Sequence, residues 1–226
     1  MLNIIKLVHV GMLVCSALIG TASAQENAAY KIDHYTMSIG RDGVTRETSY
    51  SENLYRSGSQ LLFVRNVPAL TSKKNVQEHY DERHFDASLS PQLITLKRNG
   101  EVDFTFLDIE NKIRIEVPKV EFNSVGFSGS WINSYSLVDP AMFKKMTQKG
   151  PGSQANTVWY EQVNEKGSTR ILWDEKQKIA LDVEVSNKDG SIKKSSKSKL
   201  INFNASSPLF ASANTFKSKV ISDYRD

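Results

Sequence analysis

Two histidines five positions apart, His79 and His84, sit among Glu78, Asp81, Glu82 and Asp86. Imidazoles beside carboxylates are the side chains that hold divalent transition metals. The spacing works against a site on any regular element, because five residues rotate by about 140° on a helix and fall on opposite faces of a strand. Only a loop converges His79, His84 and Asp86 on one ion. The zincin pattern, histidines four apart with a glutamate next to the first, is absent. Metal ligation by His79, His84 and Asp86 is therefore one reading, and a solvated charged segment is the other.

Other chemistry finds less support. Gly126-Phe127-Ser128-Gly129-Ser130 lacks the glycine placement of a nucleophile elbow and reads as a Gly/Ser-rich loop. No phosphate-binding glycine loop follows a strand and opens a helix, so no nucleotide cofactor is implied. Asp103 with Glu101, and Asp108 with Glu110, are expected at hairpin ends as solvated faces rather than acid/base pairs. The sequence thus offers no catalytic motif, and a non-enzymatic role without a cofactor is expected. Lys188, Lys193, Lys194, Lys197 and Lys199 gather around one turn and the strand after it. They suit either an anionic partner or an edge strand guarded by lysine. The formal net charge of +4 is too mild for nucleic-acid binding. Asn204-Ala205-Ser206 is a formal glycosylation sequon, relevant only in a eukaryotic source.

The apolar inventory is more suggestive. Trp131, Met142, Phe143 and Met146 fall in or just before a predicted helix, while Phe104, Phe106 and Trp173 come from predicted strands. A curved sheet with a Met- and aromatic-bearing helix over its concave side could enclose an apolar ligand lined by these seven residues. The same residues would equally make an ordinary filled core.

The elements that must position them are mainly strands. Turn signals recur at short intervals with alternating apolar and polar residues between them. A hairpin is expected between 91–98 and 101–109, its Asn99-Gly100 suited to a type I′ turn. Val102, Phe104 and Phe106 then share one face. Glu110-Asn111 leads into a strand over 112–117, which Pro118 ends. Strands over 157–163, 169–174, 178–186 and 191–203 read as a meander, with Ile179, Leu181, Val183 and Val185 facing one way and Ala180, Asp182 and Glu184 the other. One helix is signalled by Asp139 as cap, Pro140 at its first position and Gly150-Pro151 as its stop. A weaker one is expected over about 72–83. The fold class expected is mainly β: an antiparallel curved sheet or unclosed barrel with one or two short helices packed on it.

The N-terminal residues set the expected compartment. Lys6 precedes an apolar run over 7–19, and Ala22-Ser23-Ala24 comes after it. That run is shorter than the roughly 20 residues a spanning helix needs, and the layout is that of a signal peptide cut after Ala24. Residues 1–24 are thus expected to be removed, leaving 25–226 as a single periplasmic or secreted domain that is not an integral membrane protein. The one cysteine, Cys15, lies in the removed part, so no disulfide or thiolate metal site is expected.

This layout, together with Ile171-Leu172-Trp173-Asp174, the run from Ile179 to Val185, the Asp189-Gly190 turn and the closing Pro208-Leu209-Phe210 before Phe216, resembles the LolA/LolB-like superfamily of periplasmic lipoprotein carriers. The resemblance covers roughly the last third of the chain. It implies an unclosed barrel that binds acyl chains beneath helices, and a partner that is a lipid or a lipoprotein acyl group. A protein-binding module without a small ligand, and a metal-binding protein using His79 and His84, remain the alternatives.

Overall fold

The computed structural model describes residues 27–67, 86–203 and 207–224. In chain order these form β1 (Ala28–Ile39), β2 (Thr45–Ser57), β3 (Gln60–Asn66), β4 (Gln92–Leu96), β5 (Val102–Asp108), β6 (Ile113–Val117), α1 (Trp131–Ser136), β7 (Thr147–Pro151), β8 (Thr157–Asn164), β9 (Gly167–Asp174), β10 (Ile179–Asn187), β11 (Ile192–Ile201), α2 (Ser207–Ala213) and β12 (Lys217–Val220). All twelve strands join one sheet, ordered β12-β6-β5-β4-β3-β2-β1-β11-β10-β9-β8-β7. Only β12 with β6 is parallel. The sheet does not close. The mainly β, antiparallel architecture with short helices is the one the alternation predicts.

The sheet nonetheless curls. β2 and β10 are three strand spacings apart, roughly 14 Å in a flat sheet, yet Arg56 on β2 donates to the carbonyl of Gln177 just before β10 at 2.9 Å. Tyr30 on β1 reaches the Gln177 side chain as well. A bulge between Ala180 and Asp182 on β10 sharpens the bend. It also breaks the predicted face assignment, because Ile179 and Ala180 are both buried.

On the concave face Tyr30, Ile32, Leu54, Leu61, Ile94, Phe104, Phe106 and Ile115 form the main core, capped by Phe122 and Phe127 from the crossing segment 118–146. The opposite face is not uniformly wet. Ala29, Tyr55, Leu62, Leu93 and Leu107 are covered by Phe210 and Ala213 of α2.

Several local expectations are corrected. Only Gly100 in the β4–β5 turn has positive φ, at 83°, and Lys97 N–H bonds to Glu101 O. The turn is therefore a longer loop closed by a left-handed glycine rather than type I′. Asp139 does cap, its carboxylate accepting from Ala141 N–H at 2.8 Å, but the residues it caps form a 3-10 run over Pro140–Lys145. Gly150 and Pro151 lie in edge strand β7 instead of stopping a helix. β11, which carries Lys193, Lys194, Lys197 and Lys199, is flanked by β1 and β10 in the sheet's interior, so those lysines do not guard an edge. The signal segment 1–24, the weaker helix over 72–83 and the sequon at Asn204 lie outside the described residues.

Candidate functional site

The seven residues proposed to line a cavity share the concave side but gather into two clusters. Phe104 and Phe106 of β5 lie in the main core with Trp131 of α1 packed against it. Met142, Phe143 and Met146 pack on Trp173, Ile171 and Ala180 in a second cluster, and Leu137 touches both. The clusters are filled. Phe104 stacks on Phe127 at 4.6 Å and meets Phe106 and Phe122 edge-on, while Phe143 stacks on Tyr160 at 4.4 Å with Trp173 edge-on at 5.0 Å. Phe104, Phe106 and Trp173 are buried, whereas Trp131, Met142, Phe143 and Met146 are half-buried.

The chain lying over them is built from short pieces. Ser130 caps α1 by accepting from Asn133 N–H at 3.2 Å. Leu137, at φ 63°, ends it after six residues. A single 3-10 run then leads into β7. A six-residue helix is too short to hold itself together in water, so this cover keeps its shape only through its contacts with the sheet.

One of those contacts is a buried cation. Arg56 is 2% exposed, and its guanidinium donates to the carbonyls of Gln177 and Tyr135. It lies over the Tyr135 ring at 3.8 Å and near that of Tyr30 at 5.1 Å. Among the described residues no carboxylate comes within ion-pair distance of it. Burial pushes the guanidinium below its ordinary pKa, partly countered by the two tyrosines. Arg56 thus ties the C-terminal end of α1 to the sheet through main-chain carbonyls and the face of the Tyr135 ring.

Between the sheet and the start of the cover lies an open cleft of about 310 Å³, at the small end of the roughly 300–1,000 Å³ typical of ligand sites. Phe63, Ile94, Phe104, Val125 and Phe127 give it apolar walls, and Tyr50, Glu52, Gln92, Asn133 and Ser134 give it a polar side. Glu52 belongs to a row of polar groups crossing β11, β1, β2 and β3. His34 bonds through Nδ1 to Ser196 Oγ and through Nε2 to Glu52 Oε1, both at 2.9 Å. Its ring stacks on Tyr50 at 4.5 Å, and the Arg65 guanidinium lies 3.6 Å over the same ring. Two groups that close need opposite faces, so Tyr50 is sandwiched between His34 and Arg65. Burial, and then the charge of Glu52, push the Tyr50 hydroxyl above its usual pKa.

This polar row was not visible as a unit in the sequence. Alternation alone sets Tyr30, Ile32 and His34 on one face of β1, and Tyr50, Glu52, Leu54 and Arg56 on one face of β2. What could not be read is the β1–β2 register, Tyr30 opposite Leu54 and His34 opposite Tyr50. A strand end reading Leu54-Tyr55-Arg56, a cation closing an apolar run, was the available signal for Arg56. Of the metal reading, His79 and His84 lie outside the described residues. Asp86 is exposed, and its carboxylate accepts from the backbone and hydroxyl of Ser88 at 2.8 and 2.6 Å, which holds it below the usual carboxylate range.

No protein-family model and no curated protein matches the sequence. Solved structures do show likeness. LolA-like proteins are among them. A LolA superfamily protein from Nitrosomonas europaea aligns over 77% of this chain and 84% of its own, with 10% identity and a TM-score of 0.30. A DUF1329 family protein from Desulfovibrio piger aligns over 87% and 93%, with 11% identity and a TM-score of 0.33. The Pseudomonas aeruginosa MucA/MucB complex aligns over 82% of this chain, with 10% identity and a TM-score of 0.40. The chain spans 56% of that matched chain. Among the described residues no helix is long and apolar enough to cross a membrane.

Proposed function

We propose that this protein is an exported binding protein of LolA-like type that carries or senses a lipid or lipoprotein acyl group on its concave face, beneath the segment 118–146. The observation that carries the reading is the way that face is covered. An aromatic and aliphatic surface lies under a chain of elements no longer than six residues, and a buried arginine bonded to carbonyls instead of a counter-ion ties that chain down. A permanent core would be sealed more cheaply by an apolar side chain at position 56. A cover held by a few polar contacts can lift, and the half-buried Met142, Phe143 and Met146 supply adaptable apolar surface next to it.

The test is a fluorescent fatty-acid probe titrated into residues 25–226. Binding should shield the probe from water, and phospholipid or lipopeptide should compete it off. Substituting Met142 or Phe143 with aspartate should abolish binding at a stability cost of about 1–3 kcal/mol, since both side chains are only half-buried. A flat titration with the parent protein sinks the proposal.

Export is proposed on the Lys6, 7–19 and Ala22-Ser23-Ala24 layout. Protein recovered from outside the cytoplasm should begin at Gln25 on N-terminal sequencing. A chain that retains Met1 in the membrane fraction contradicts it.

A further inference from the structure

We infer that the cleft beside the cover is a head-group subsite for a zwitterionic amphiphile, with an ammonium group at Glu52 and a phosphate at Arg65. The inference rests on the acyl-binding reading and extends it to the polar end of the ligand.

Glu52 and Arg65 are directly opposed cross-strand residues on β2 and β3. Opposite charges in that position ordinarily pair. Here they do not. Glu52 turns to β1, where His34 Nε2 meets its Oε1 at 2.9 Å, and Arg65 lies flat over the Tyr50 ring at 3.6 Å. Among the described residues the ion-pair contact of Glu52 is with His34 alone, and Arg65 makes none.

His34 is bonded at both ring nitrogens, Nδ1 to Ser196 Oγ and Nε2 to Glu52 Oε1, each at 2.9 Å, which fixes the orientation of the Glu52 carboxyl group. The Glu52 side chain is only 18% exposed and is the one acidic group on a wall otherwise made of aromatic, aliphatic, amide and hydroxyl groups. An anion in such a place is costly unless something positive joins it.

Arg65 lines the adjoining groove together with His34, Tyr50 and Asp33, whose carboxylate is paired with Lys31 at 3.0 Å. A stacked guanidinium keeps its in-plane N–H groups free for a phosphate. One ring therefore separates a site for a cation from a site for an anion, which is the charge order of a phosphate ester bearing an amine. Behind Glu52 the cleft is walled by Phe63, Ile94, Phe104 and Phe127, so the head group's path leads to the apolar surface proposed for the chain.

The experiment uses three competitors with one acyl chain against the fatty-acid probe: a lysophosphatidylethanolamine, a lysophosphatidylglycerol and a monoacylglycerol. The parent should prefer the first over the second by about tenfold, and the second over the third by a similar factor, each step matching one charge-assisted hydrogen bond. Glu52→Gln, which keeps shape and hydrogen bonding, should erase the first step only. Arg65→Gln should erase the second. Unchanged thermal unfolding and far-UV circular dichroism of both variants report that the fold is intact. Equal affinities for all three competitors, or preferences that survive the substitutions, overturn the head-group inference and leave acyl binding standing. No binding of probe or competitor by the parent removes both.

Discussion

Replacing Phe104 by alanine is expected to cost about 3–5 kcal/mol, the range for truncating a buried aromatic ring in a packed core. The ring is 2% exposed and is the hub of four phenylalanines. It stacks on Phe127 at 4.6 Å, and Phe106 and Phe122 meet it edge-on at 5.0 and 6.2 Å. Phe122 and Phe127 belong to the covering segment, while Phe104 and Phe106 belong to β5. Removing Phe104 therefore empties the seam between sheet and cover as well as the sheet's own core. Packing geometry among aromatic rings adds about 0.5–1.5 kcal/mol per pair beyond burial, which places the loss toward the upper end. A domain of this size shifts by about 2–4 °C per kcal/mol, so the melting temperature should fall by roughly 6–20 °C. Thermal or urea unfolding followed by far-UV circular dichroism reads it directly. A loss below about 1 kcal/mol would mean that the four rings are loosely held and that the seam is already open.

The sheet was legible because alternation is a local property. Val102, Phe104 and Phe106 declare one face of β5 whatever lies next to it, and the same holds for Ile113, Ile115 and Val117 on β6. Register and coverage are not local. Nothing in 28–39 or 45–57 states that His34 will sit opposite both Tyr50 and Ser196, so the polar row could not be assembled from composition. The bulge at Ala180/Asp182 was equally hidden, because an unbroken Ile-Ala-Leu-Asp-Val pattern reads as a flat strand. The helix expected after Asp139 had a sound beginning and an ordinary apolar stripe. It stops at Lys145 because β8 offers the next residues a ladder, with Thr147 opposite Glu161, and tertiary pairing outweighs a weak local preference. α2 went unread because its seven residues carry too few apolar positions to show a period, although Phe210 and Ala213 cover the back of the sheet. Of the candidate site, an apolar set of seven aromatic and methionine residues could be read from sequence. Its division into two filled clusters could not, since that depends on where Leu137 turns the chain.

Arg56→Ala is expected to lower stability by about 2–4 kcal/mol, because it strands two partly buried carbonyl acceptors and leaves a cavity against two tyrosine rings. Those carbonyls belong to Tyr135 at the end of α1 and Gln177 before β10, so the loss should be uneven across the molecule. Hydrogen exchange at the amides of 130–146 should accelerate by more than exchange in β8–β11, since the cover has little hydrogen bonding of its own to fall back on. Arg56→Lys should fall between parent and alanine. An ammonium keeps the charge and sits over the Tyr135 ring, but it lacks the planar fork that reaches two carbonyls at once. Uniform acceleration throughout the sheet would make Arg56 a general stabiliser of the core and remove its role as the tie on the cover. The uneven result has a further consequence. A side chain that opens the cover when removed must hold the apolar face shut when present, so Arg56→Ala should bind the fatty-acid probe faster than the parent even while being less stable. Only a releasable cover makes those two effects appear together, because a filled core that loses stability gains no ligand.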